Sequence, residues 1–63
     1  MKIISSDANA SVIELSREEI GIINNALNEI CHGVHIPDWE FATRMGCSRV
    51  EARNVLADIH GLA

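Results

Sequence analysis

From residue 16 onward, apolar positions recur at helical spacing, and each run carries its own start and stop signals. At about 100° per residue, Ile20, Ile23, Ala26, Leu27, Ile30 and Cys31 share one helical face, with Ile22 at its edge. Ser16 is followed three residues later by Glu19, the pair that caps a helix start reciprocally. Leu15 and Ile20 occupy the flanking apolar positions that staple such a start. The run predicts a first helix that ends at His32-Gly33. There glycine supplies a left-handed cap and the imidazole complements the last carbonyls.

A second, shorter helix is expected from about Pro37 to Met45. Proline suits the first helical position, Asp38 and Glu40 suit the positive end, and Gly46 suits the exit. Phe41, Ala42 and Met45 form its expected buried stripe, and Trp39 projects to one side of it. The third helix repeats the punctuation of the first, with a Ser48/Glu51 capping box and a His60-Gly61 exit. Ala52, Val55, Leu56, Ile59 and Leu62 are its inward set. Arg49, Val50, Arg53, Ala57 and His60 lie on the opposite side, with Asn54 at the border.

Residues 1–15 have no helical period. "KIIS" and "SVIEL" flank "SDANA", a pattern that fits either a small β-hairpin or an arm ordered on another surface. The expected fold is therefore all-α: a compact three-helix domain over 16–63, preceded by a short N-terminal arm or β-hairpin over 1–15. Its last two helices would form a helix-turn-helix-like corner.

Size and charge narrow the function. At 63 residues the chain is near the lower limit for folding on one core without metals, disulfides or a partner. With one Trp, one Phe and no Tyr, that core must be aliphatic, leaving little room for an enclosed catalytic pocket. Nine acids against five basic residues give a net charge of −4, which disfavours general attraction to phosphate backbones and suits a basic partner. Residues 1–36 hold most of the imbalance, five acids against Lys2 and Arg17. No apolar run approaches the length of a signal-peptide core or a membrane span, so a cytoplasmic protein with no membrane association is expected.

The stretch "WEFATRMGCSRVEARNVL", residues 39–56, resembles the helix-turn-helix superfamily. That pattern takes a small residue in the first helix, Gly four residues later, Ser two after that, and apolar residues behind it. Ala42, Gly46, Ser48, Ala52 and Val55 match in order. The resemblance implies a second helix that offers Ser48, Arg49, Val50, Arg53, Asn54 and Ala57 to DNA, with Arg44 on the helix before it as a further cation. Arginine can pair with guanine, asparagine with adenine, and valine can touch a thymine methyl. Against this, Asp38, Glu40 and Glu51 stand close to the three arginines and oppose the same phosphates. "LSREE", "NNALNEICHG" and "IPDWEFATRMG" are similar to small uncharacterised bacterial open reading frames, which implies a bacterial or phage setting.

Two other surfaces compete for function. Gly21, Asn24, Asn25 and Asn28 make an uncharged face on the first helix, where glycine costs helix stability unless a partner or second copy uses the close approach it permits. A solvated face, or one covered by the N-terminal arm, is the plainer reading. Trp39, between Asp38 and Glu40, has the makeup of an interaction anchor for a basic partner, or else closes one end of the core. Cys31, His32, His35 and Cys47 would suffice for a zinc ion, but there is no C-x-x-C spacing, and buried thiols with capping imidazoles account for them. Cys47 with His35 or His60 lacks any orienting acid or oxyanion pattern. No cofactor, metal or catalytic group is expected. The leading expectation is a small acidic non-enzymatic protein-binding module of inhibitor, immunity or adaptor type, able to form a homodimer. The alternative is a helix-turn-helix DNA-binding transcriptional regulator.

Overall fold

The computed structural model describes Met1–Leu62. Two strands, β1 (Lys2–Ser6) and β2 (Ser11–Glu14), are followed by three helices, α1 (Arg17–Asn28), α2 (Asp38–Met45) and α3 (Arg49–His60). The all-α expectation is thereby corrected. The helices dominate, but residues 2–14 form an antiparallel β-hairpin, so the chain is helix-rich with a β element. Alternating apolar and polar positions over so few residues were too short a signal to tell a hairpin from an arm.

The hairpin is built by its turn. The Asp7 carboxylate accepts the backbone N–H groups of Asn9 and Ala10 at 2.8 and 2.9 Å, and the Asp7 N–H donates to Ala10 O at 2.9 Å. From there the strands pair Ser6 with Ser11, Ser5 with Val12, Ile3 with Ile13 and Lys2 with Glu14, with a bulge at Ile4. The hairpin packs against none of the helices. Its tie to them is the Met1 ammonium, 2.6 Å from the Glu19 carboxylate.

Both capping boxes form, at Ser16/Glu19 and at Ser48/Glu51. The helix exits differ from expectation. Before Gly33, α1 widens into a π-helical turn over Glu29–Gly33, and Gly33 is not left-handed; the Glu29 carboxylate folds into the space a β-carbon would fill. Gly61 is likewise right-handed, at φ −64°. Gly46 is the chain's left-handed glycine, at φ 70°, and turns α2 into α3. Pro37 sits one position before the first helical residue, as the N-cap of α2.

The core is thin. Cys31 from the π turn, Phe41 from α2 and Ala52 from α3 are buried, with Ile30, Ile36, Cys47 and Leu56 partly buried around them. Helix α3 is the hub: it packs on α1, on the π turn and on α2, while α1 and α2 do not touch. Several expected core positions are open instead. Ile22, Ala26, Ala42, Val55 and Leu62 are exposed, because three short helices meeting at one triad leave their outer turns uncovered.

Candidate functional site

Helices α1 and α3 lie antiparallel, as two contacts and a shared cleft along them show. The Arg17 guanidinium donates to Leu62 O at 2.9 Å, His60 Nδ1 lies 3.4 Å from Asn24 Oδ1, and His32 and Arg53 line one cleft. That cleft, about 460 Å³, is walled by Asn24, Asn28 and His32 on one side and by Arg53, Leu56, Ala57 and His60 on the other. Among the described residues no carboxylate lines it. In a chain of net charge −4 it is a local site of opposite character, with amides, imidazoles and a guanidinium over an apolar floor.

The groove joins residues that the sequence assigned to different surfaces. Asn24 and Asn28 came from the uncharged face of the first helix, and Arg53 and Ala57 from the DNA-facing side of the third. Gly21 is half-buried, with open space where a β-carbon would stand, so the hairpin does not cover this face; Asn25 is exposed. The sequence offers His32 as a helix-end group or, with Cys31, His35 and Cys47, as a metal ligand, although its place at 24, 28, 32 in the same i, i+4 series marks the groove.

Arg53 also differs from the other arginines in having no hydrogen-bond acceptor among the described residues. Arg17 reaches Leu62 O, and Arg44 pairs with Glu40 at 2.7 Å. Arg49 is the most heavily engaged. Its side chain is only 17% exposed: Nε donates to Asp38 at 3.0 Å, one terminal nitrogen to Cys31 O at 3.2 Å and the other to Ile36 O at 2.7 Å. The guanidinium lies 4.5 Å from the Phe41 ring centroid. Placed by periodicity on the open side of α3, Arg49 instead folds back to bind the π turn at Cys31, the connector at Ile36 and the start of α2 at Asp38. Val50 and Asn54 are exposed, and the Ser48 hydroxyl is occupied as the cap of α3.

Trp39 stands 73% exposed on α2. Beside it, the Asp38 side chain is 89% exposed despite its bond to Arg49, whereas Glu40 is drawn toward Arg44. Among the described residues the indole has no hydrogen-bond partner.

Three carboxylates are held below their ordinary range. Glu19 is lowered to about 2, first by the Met1 ammonium and then by the Ser16 backbone N–H. Glu51 is lowered by the Ser48 backbone N–H, and Asp7 by those of Asn9 and Ala10. All three serve caps or turns rather than chemistry. Both thiols are free, Cys31 buried and Cys47 half-buried. Among the described residues no three His, Cys, Asp or Glu side chains gather to hold an ion, and no helix is long and apolar enough to cross a membrane.

The chain matches no protein-family model, no curated protein and no solved structure.

Proposed function

We propose that this chain is a small non-enzymatic protein-binding module, of inhibitor, immunity or adaptor type, that acts by occupying a surface of another protein. The observation that carries the reading is Trp39, the chain's single tryptophan, held almost fully in solvent beside an exposed Asp38. A large aromatic with no task in the fold gains most by entering a partner's pocket, and the adjoining acid favours a partner with a basic rim. The α1/α3 groove supplies a second contact of different chemistry, in which Asn24, Asn28 and Arg53 accept a polar segment.

A second reading, DNA binding, draws support from the corner itself: the left-handed Gly46 and the N-cap Ser48 join α2 to α3 by the short turn that a helix-turn-helix uses. Arg49 and Arg44 are engaged within the chain, however, which leaves Arg53 as the free guanidinium of the three. Phosphate neutralisation by one arginine gives weak binding.

The deciding experiment compares wild type, Trp39→Ala/Asn24→Ala and Arg53→Ala in two assays. One is salt-dependent titration with mixed-sequence duplex DNA. The other is calorimetry against a partner isolated on the immobilised chain and then purified. Protein binding that Trp39→Ala/Asn24→Ala weakens at least tenfold, with no DNA binding at low salt, supports the module. Sequence-selective DNA binding lost in Arg53→Ala, or a partner indifferent to Trp39 and Asn24, overturns it.

A further inference from the structure

The hairpin poses a problem that the helices do not solve. A two-stranded ribbon is at best marginally stable in water, yet β1 and β2 stand free of α1, α2 and α3. Met1, Ile3, Ile4, Val12 and Ile13 are all exposed along it. Register divides these residues between two faces. Ile3 and Ile13 share one with Ser6 and Ser11, whose hydroxyls meet at 2.7 Å; Val12 lies on the other with Ser5. The ribbon therefore has apolar groups on both sides and a helix against neither.

The total surface says how much is missing. A folded monomer of 6.9 kDa is expected to expose about 4000 Å². This chain exposes 4855 Å², an excess of about 850 Å². A standard-size protein interface buries about 800 Å² on each partner. The uncovered area is thus one interface's worth, and with three buried residues the core is too small to be self-sufficient.

Charge selects the occupant. Two copies at −4 each repel, so they can approach only where the surface is neutral and self-complementary. The hairpin comes nearest to such a place: Lys2 stands opposite Glu14 and the Met1 ammonium is matched by Glu19, which leaves Asp7 at the turn as its unmatched charge. In an antiparallel, two-fold contact each Lys2 and Glu14 meets a surface carrying both signs. The edges differ as well. β1 is guarded by Lys2 and by its bulge, while β2, Ser11–Glu14, has no proline, lysine or bulge. Because Asp7 and Ala10 are hydrogen-bonded to each other, the alternation of an antiparallel pair turns the N–H groups of Ser11 and Ile13 away from β1, onto that open edge.

We infer that the hairpin is a dimerisation element. Two copies of the chain join β2 to β2 across a two-fold axis, bringing Val12 and Ile13 of each copy against the other, with Ile3 behind Ile13 on the same face. The inference does not rest on the proposed function, since Trp39 and the groove lie on the helices and remain free in the dimer.

The test is sedimentation equilibrium of the full chain from micromolar to millimolar concentration, with amide hydrogen exchange measured at the same concentrations. Wild type should sediment at twice 6.9 kDa. Ile3→Lys/Ile13→Lys, changed only at exposed positions, should fall to the monomer mass, while Trp39→Ala keeps the dimer. Should the lysine variant unfold, wild type alone decides: exchange at the Ser11 and Ile13 amides should slow at least tenfold as the dimer fills. A monomer mass throughout, a dimer untouched by the lysines, or Ser11 and Ile13 exchange indifferent to concentration would each overturn the inference.

Discussion

Replacing Arg49 with alanine should remove about a third or more of the protein's stability. The substitution removes two charge-assisted hydrogen bonds to the partly buried carbonyls of Cys31 and Ile36, at 3.2 and 2.7 Å, and leaves both carbonyls without that donor. Bonds of this class contribute about 1.5–3 kcal/mol each, and the guanidinium over Phe41 adds about 1 kcal/mol. The ion pair adds little, because its Asp38 side is 89% exposed and screened by water. Taking the lower end for non-additive neighbours, the loss is about 3–4 kcal/mol. A chain of this length holds about 3–9 kcal/mol in all. Arg49→Lys, which keeps the charge but not the fork, should lose about half as much. Asp38→Ala and Arg53→Ala should each stay within about 0.5–1 kcal/mol of wild type. Urea unfolding followed by far-ultraviolet circular dichroism, at one fixed protein concentration, measures all four. An Arg49→Ala loss no larger than that of Arg53→Ala would refute the reasoning, because Arg49 would then be a free surface arginine and available to DNA.

Three further outcomes follow from the same geometry. Gly46→Ala should cost about 1–2 kcal/mol through backbone strain alone, since φ is 70° and a β-carbon meets nothing within 4 Å; Gly46→Asn should recover part of it in the same urea assay. Glu19 should titrate near 2 by carbon-13 NMR, and acetylation of Met1 should move it back toward the ordinary 4.5. With its folded value depressed, its contribution is complete above pH 4.5 and fades as pH falls toward 2. Trp39 should emit at the wavelength of indole in water, be quenched by acrylamide almost as free tryptophan is, and change little on unfolding; a blue-shifted, protected emission would place it in the core.

Much of the scaffold was legible because it is written in local chemistry. Ser16 with Glu19, Ser48 with Glu51, and Gly46 act within four residues of themselves, so their spacing alone sufficed. What periodicity could not supply was which side chains would cross between elements. Arg49 lies on the side of α3 that a helical wheel assigns to solvent, yet its long, flexible side chain reaches back over Phe41 to one carbonyl in the π turn, Cys31, and one in the irregular stretch after it, Ile36. Gly33 was expected to provide a left-handed turn and instead provides room for Glu29. The same gap hid the groove. Asn24, Asn28, Arg53 and His60 were each singled out or placed on a face, but only the antiparallel packing of α1 on α3 set them opposite one another. Membership of the core was overestimated for Val55, Ala42 and Ala26, because an amphipathic stripe reports which face is apolar and not how much neighbouring protein exists to cover it.

That α1 and α2 meet only through α3 bears on the order of folding. The first two helices have nothing to dock on until the last has formed, and the connector between them is held at Cys31 and Ile36 by a side chain from that last helix. The helices of a nascent chain therefore stay unpacked until α3 has formed. Refolding should accordingly be a single all-or-none step whose barrier is sensitive to Ala52 and Arg49 and nearly blind to the hairpin turn.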